Sequence, residues 1–164
     1  MTDTLDSPVT RCLDELGIGY ELVEIPLDPD KKPIRSLEEL LQEWGREPGQ
    51  VVRSLLFRTG SGGFVLLAVA GGGRADWGVL RKHLGERRLT MAQPDEVLEA
   101  TGYPVGAVPP IALPEGVRVL VDEGVFGYDR MMIGSGVLGY ALDLDTGGLR
   151  RALEDADVGR FVKA

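Results

Sequence analysis

The sequence predicts an α+β fold: a mixed, largely antiparallel sheet, curled and barrel-like, with helices packed around it. Two observations carry this. Segments of strand character come in runs, Val51–Phe57 with Phe64–Ala70 and then Val117–Val121, 130–133 and Tyr140–Leu144. Amphipathic helical segments lie between and at the ends of these runs, without strict β-α-β alternation. A third observation is Thr59-Gly-Ser-Gly-Gly63, a hairpin signal joining the first two strands. The sequence has no internal repeat, linker or low-complexity tract, so residues 1–164 read as a single domain. Its 43% hydrophobic content is enough for a core.

In chain order, Ser7-Pro8 supplies an N-cap followed by proline at the first helical position. Val9, Cys12, Leu13 and Leu16 then share one helical face, and Gly17 stops the helix. Cys12 reads as a small core residue rather than a nucleophile. Tyr20–Ile25 is strand-like, and Asp28–Pro33 is a turn-rich connector. Ser36 with Glu39 forms a capping box for a short helix whose Leu37, Leu40, Leu41 and Trp44 face inward, ended by Gly45. Asp76 caps a helix that runs through about His83, and Arg88–Met91 is a short strand. Pro94-Asp-Glu opens another helix with acidic residues in its first turn, matching the helix dipole. Asp145 or Thr146 caps a last helix carrying Leu149 and Leu153.

The net charge of −8 argues against broad binding to nucleic acid, DNA included. Basic residues are nevertheless concentrated locally: Arg81, Lys82 and His83, then Arg87 and Arg88. This is a small patch able to hold the end of an RNA, or an ordinary solvated surface. The single cysteine excludes an internal disulfide and fits a reducing compartment. No apolar run suits a signal peptide or a bilayer span, so the expectation is a cytoplasmic protein without membrane contact.

The most informative stretch is Ala100-Thr-Gly-Tyr-Pro-Val-Gly-Ala-Val-Pro-Pro-Ile-Ala-Leu113. It is free of charged residues and rich in glycine and proline. Proline fixes φ and glycine permits close approach, so the segment reads as a rigid apolar pocket wall exposing main-chain polar groups. Conventional catalysts are scarce. His83 and Cys12 are each the only residue of their kind and have no ligand spacing, so neither a metal nor a cofactor is expected. Gly134-Ser-Gly136 is too tight for a nucleophile elbow, and Ser135 reads instead as part of a loop whose amides bind an anion or ester oxygen. Gly71-Gly-Gly-Arg74 lacks the phosphate-loop ending.

Thr101-Gly-Tyr-Pro-Val-Gly106 followed by Pro109-Pro110, together with Val51-Val-Arg-Ser-Leu-Leu-Phe57 and Met132-Ile-Gly-Ser-Gly136, resembles the YbaK and prolyl-tRNA synthetase-associated editing domains. The resemblance covers about Val9 to Leu153. It implies a YbaK-like fold that deacylates mischarged tRNA in trans, with an aminoacyl-tRNA synthetase as a further partner. It also implies a pocket built from the Arg53 strand, the Gly102 loop and the Gly134–Gly136 loop. Arg53 would position the ester electrostatically, Gly102 would touch the aminoacyl end, and Ser54 or Ser135 would hydrogen-bond ribose or water. Tyr103, Val105, Gly106, Gly134 and Gly136 would complete the substrate contacts, and Arg81, Lys82, Arg87 and Arg88 would meet RNA. Two positions depart from the family pattern. Arg53 followed by Ser54 replaces a Lys-Thr pair, and Ala141 stands where some relatives have aspartate.

An activated ester with a neighbouring ribose hydroxyl needs shape, backbone donors and a cation more than a protein base. Two readings therefore stand. The first is an editing hydrolase acting on the 3′ aminoacyl end of mischarged tRNA. The second is a non-catalytic module that keeps the pocket and binds an aminoacyl, nucleotide or protein partner.

Overall fold

A computed structural model of the chain describes residues 5–35 and 37–163. In chain order the elements are α1 (Pro8–Glu15), β1 (Glu21–Glu24), α2 (Leu37–Glu43), β2 (Val52–Thr59), β3 (Phe64–Ala70), α3 (Trp77–Leu84), β4 (Leu89–Met91), α4 (Pro94–Thr101), β5 (Val117–Asp122), β6 (Arg130–Gly134), β7 (Tyr140–Asp145), α5 (Thr146–Ala152) and β8 (Asp157–Gly159). Short 3-10 turns lie at Pro48–Gln50 and Glu123–Phe126.

The strands form two sheets, not one closed barrel. One has three strands in the order β1-β7-β6, and the other has five in the order β4-β2-β3-β5-β8. Pairing is antiparallel except for β3–β5 and β5–β8. A single parallel bridge, Val51 to Met132, links the sheets before their edges part. The mixed, largely antiparallel α+β arrangement is as expected, while closure into a barrel is not seen, since this bridge does not propagate into a ladder.

Strand β3 is the centre of the larger sheet and is apolar throughout, as burial on both faces requires. Leu66 and Ala68 point into a cluster with Val9, Leu13, Met131, Leu142 and Leu144. Val65, Leu67 and Val69 point the other way, toward Leu80 of α3, Phe57 and Phe161. Ser7 caps α1 by accepting the Thr10 N–H, while the Thr10 hydroxyl accepts the Ser7 N–H at 2.9 Å. Asp76 caps α3 by accepting from Val79 N–H at 3.2 Å.

Several expectations need correction. Trp44 and Leu16 are exposed, because Leu40 and Leu41 on α2 and Val9 and Leu13 on α1 already fill the covered faces. Asp145 occupies the N-cap position of α5 but makes no capping bond; its carboxylate pairs with Arg130 at 2.9 Å, and the Thr146 hydroxyl donates to the Tyr128 carbonyl. Ser36 and the side chain of Leu37 lie outside the described residues. Among the described residues no helix is long and apolar enough to cross a membrane.

Candidate active site

Strand β2 has β3 along one side for most of its length, whereas β4 covers its other side only at Phe57–Thr59. Past Val51–Met132 the edges of β2 and β6 diverge, and the wedge between them is a cavity of about 450 Å³. Val51 to Leu56 form one wall, Met132 to Gly134 with Tyr140 and Ala141 the second, and Met91, Ala92, Pro94 and Val97 the third. Val105, Gly106 and Val108 close it. The lining is mainly aliphatic, as suits a small ligand.

The Gly/Pro segment is held in place by the glycines of the 134–136 loop. Gly136 N–H donates to the Ala107 carbonyl at 2.9 Å. A Cβ on Gly134 would stand 2.5 Å from the Val108 carbonyl oxygen, so only glycine lets β6 approach this closely. Tyr103 is buried, with its hydroxyl donating to the Ala112 carbonyl at 2.6 Å, and burial pushes that phenol above its ordinary pKa.

The anticipated site residues divide into two groups. Arg53, Ser54, Val105, Gly106 and Gly134 line the cavity together. Arg53 is exposed at its rim, with one long contact to the Gly71 carbonyl at 3.5 Å. The hydroxyl of Ser54 is buried and, among the described residues, has no hydrogen-bond partner.

Gly102, Tyr103, Ser135 and Gly136 stand outside the lining. Ser135 is fully buried; its hydroxyl lies 2.9 and 2.8 Å from the Val137 and Tyr140 carbonyls and accepts the Val137 N–H at 3.1 Å. The Ser135 carbonyl receives the Ser7 hydroxyl at 2.7 Å. The Ser135 hydroxyl is thus taken up within its own turn. Gly102 is the left-handed C-cap of α4, φ +83°, and its N–H donates to the Leu98 carbonyl at 2.8 Å. A Cβ there would meet no protein atom within 4 Å, so the backbone conformation, not a crowded neighbour, is what favours glycine here.

Ala141 lines the cavity, but Asp143, two residues along β7, is committed elsewhere. Its buried carboxylate is 2.5 Å from Arg46 and 3.3 Å from Arg130. Together with the Gln50 amide, which donates to the Arg130 carbonyl at 3.2 Å, these contacts fasten the segment before β2 onto β6 and β7. Composition gave no hint of this network, since Arg46 and Asp143 are distant in sequence. Met91, Pro94 and Tyr140 were also missed as wall residues.

The basic group lies apart from the cavity. The turn after α3 is fastened to the β2–β3 hairpin: Gly60 N–H donates to the Arg88 carbonyl at 2.9 Å, and Glu86 accepts from the Ser61 hydroxyl at 2.7 Å. The Ser61 hydrogen bonds hold the Glu86 carboxyl below its usual range. Gly60 is about 20 Å along β2 from Ser54, at a strand rise of roughly 3.3 Å per residue. Among the described residues no carboxylate pairs with Arg81, Lys82, Arg87 or Arg88, whereas Arg58, Arg118 and Arg160 are each paired. His83 faces Asp157 at 2.6 Å and stacks edge-on with Phe161, away from the cavity.

Fold and cavity define an α+β domain with a small apolar pocket where two sheets part. The chain belongs to the aminoacyl-tRNA editing domain family, whose model matches residues 31–152. It is 32% identical over 121 residues to a proline--tRNA ligase of Thermosipho melanesiensis, covering 74% of this chain and 20% of that protein. It is 33% identical over 122 residues to the ligase of Kosmotoga olearia, again with 74% and 20% coverage. The chain thus spans about a fifth of the length of these curated relatives. Among solved structures it is similar to a protein proposed to be a trans-editing enzyme for prolyl tRNA synthetase, with TM-score 0.78, 30% identity, and 98% and 100% of the two chains covered. A crystal structure of a hypothetical protein gives TM-score 0.81 at 25% identity, covering 96% of this chain and 100% of the other.

Proposed function

We propose that this chain is an editing hydrolase, one domain over residues 1–164, that deacylates mischarged tRNA in trans in the cytoplasm. The observation that carries the reading is the cavity itself: an aliphatic chamber with the Arg53 cation at its rim and the partnerless Ser54 in its wall. The amino-acid side chain enters the chamber while the ribose and terminal phosphates stay outside near Arg53. Water adds to the ester carbonyl carbon, the carbon–oxygen bond to the ribose breaks, and the ribose oxygen takes up a proton, releasing free amino acid and tRNA. Arg53 stabilises developing oxyanion charge or a phosphate, but cannot serve as base. Arg81, Lys82, Arg87 and Arg88 hold RNA outside the cavity, with Arg88 beside the hairpin end about 20 Å along β2 from Ser54. Similarity to proline--tRNA ligases supports tRNA charged by that class of synthetase as substrate, and the synthetase as partner.

A second reading is a binding module without turnover. It is favoured by Ala141, which gives the wall no acid or base where some relatives carry aspartate. Incubation with a panel of mischarged tRNAs and free aminoacyl ester controls separates the two. Release of amino acid from at least one charged tRNA supports the hydrolase, whereas binding without release supports the module.

A further inference from the structure

The cavity wall contains an unpaired piece of strand. The Val51 carbonyl accepts from Gly71 N–H on the β3 side at 2.8 Å, and the Leu56 carbonyl accepts from Ala92 N–H on the opposite side at 2.9 Å. In a strand the N–H and C=O of one residue point the same way and alternate with the next residue. Ser54, in phase with Leu56, therefore directs both main-chain groups away from β3 and into the wedge. Among the described residues no strand lies opposite it, because β4 pairs only from Phe57 onward and the link to β6 is confined to Val51. The Ser54 hydroxyl has no partner either. Polar groups in an aliphatic chamber are costly unless something pairs them.

From this we infer that the main chain of Ser54 recognises the main chain of the aminoacyl group, as one residue of an added strand. This rests on the reading of the pocket as an aminoacyl site. An extended amino-acid ester carries a donor, its ammonium, and an acceptor, its ester carbonyl, on the same side. The ammonium donates to the Ser54 carbonyl, and the ester carbonyl accepts the Ser54 N–H. The second bond polarises the carbon that water attacks. An L-residue making both bonds projects its side chain to one face of the wedge only; a D-residue projects it to the other. The ligand class is therefore L-α-aminoacyl esters with a free amine, read through atoms that every amino acid shares. The choice among amino acids is left to the aliphatic walls.

The test uses 3′-amino-3′-deoxyadenosine carrying an L-alanyl, D-alanyl or propionyl amide, which does not hydrolyse readily, with affinity measured by calorimetry on the full chain. We expect the L-alanyl compound to bind about 10-fold or more tightly than the other two, the scale of losing one charge-assisted hydrogen bond. Replacing Ser54 by its α-hydroxy analogue, which removes the N–H alone, should erase most of the advantage over D-alanyl. Ser54→Ala, which removes only the hydroxyl, should retain it. Equal affinity for L- and D-alanyl compounds, or a preference that survives loss of the N–H, overturns the pairing. Stereoselective binding without hydrolysis of any mischarged tRNA leaves the pairing standing and overturns the hydrolase.

Discussion

Gly134 lies so close to Val108 that an added Cβ would come within 2.5 Å of the Val108 carbonyl oxygen. This contact sets the distance between β6 and the segment that closes the cavity. Gly134→Ala must push the two apart, and main-chain atoms offer little give. We expect a loss of about 1–3 kcal/mol in stability together with a misshapen pocket. Denaturant unfolding checks it; an unchanged midpoint would mean that the segment yields freely.

Gly102→Ala should behave differently. The added methyl has room, but φ +83° is unfavourable for alanine, at about 1–2 kcal/mol. The expected result is a lower melting temperature with deacylation intact at a temperature where the variant is folded. Activity lost without loss of stability would return this glycine to the ligand site.

Local signals are legible in the sequence, and long-range ones are not. Ser7-Pro8, Asp76 and the glycine-rich hairpin act within a few residues, so their roles do not depend on the rest of the fold. Strand β8 was missed because it has three residues, exposes Val158 and pairs in parallel with distant β5. The unusual composition of the 100–113 segment located the pocket region. Which residues face inward depends on tertiary partners: Tyr103 turns inward to reach Ala112, and the Ser135 hydroxyl is taken up by Val137 and Tyr140. Barrel closure depended on how far the Val51–Met132 bridge extends, which periodicity cannot reveal.

Asp143 should prove structural. Its carboxylate is 3% exposed and neutralises Arg46 and Arg130 together. Asp143→Ala leaves Arg46 without its anion and Arg130 with Asp145 alone, a loss of about 3 kcal/mol. Thermal unfolding should show the loss even in the absence of substrate. Full stability with lost turnover would instead make Asp143 part of the chemistry.

The Asp157 carboxyl is held below its ordinary pKa by its hydrogen bond to His83, by the His83 charge and by Arg118. A depressed folded-state value means that its contribution is complete above the unfolded value, about 4, and fades as pH falls through the lower folded value. The side chain is 40% exposed, so the effect is modest. Asp157→Asn should melt lower than wild type at neutral pH, with the difference shrinking in acid. A difference that is constant from neutral to strongly acidic pH would refute the pairing.

Neutralising Arg87 and Arg88 should weaken tRNA binding and flatten its salt dependence, by about 0.7 to 0.9 in logarithmic slope per lost phosphate contact. Hydrolysis of a small aminoacyl ester should hardly change, because the two residues lie at the far end of β2. Unaltered tRNA affinity and salt slope would move the RNA contact elsewhere.

Single-turnover deacylation of mischarged tRNA by the wild-type chain and by Arg53→Ala tests the central claim most directly. The wild type should release amino acid, and Arg53→Ala should do so about 30- to 1,000-fold more slowly while unfolding at the same temperature. Equal rates for the two proteins, or no release above the spontaneous rate from any charged tRNA, would contradict it.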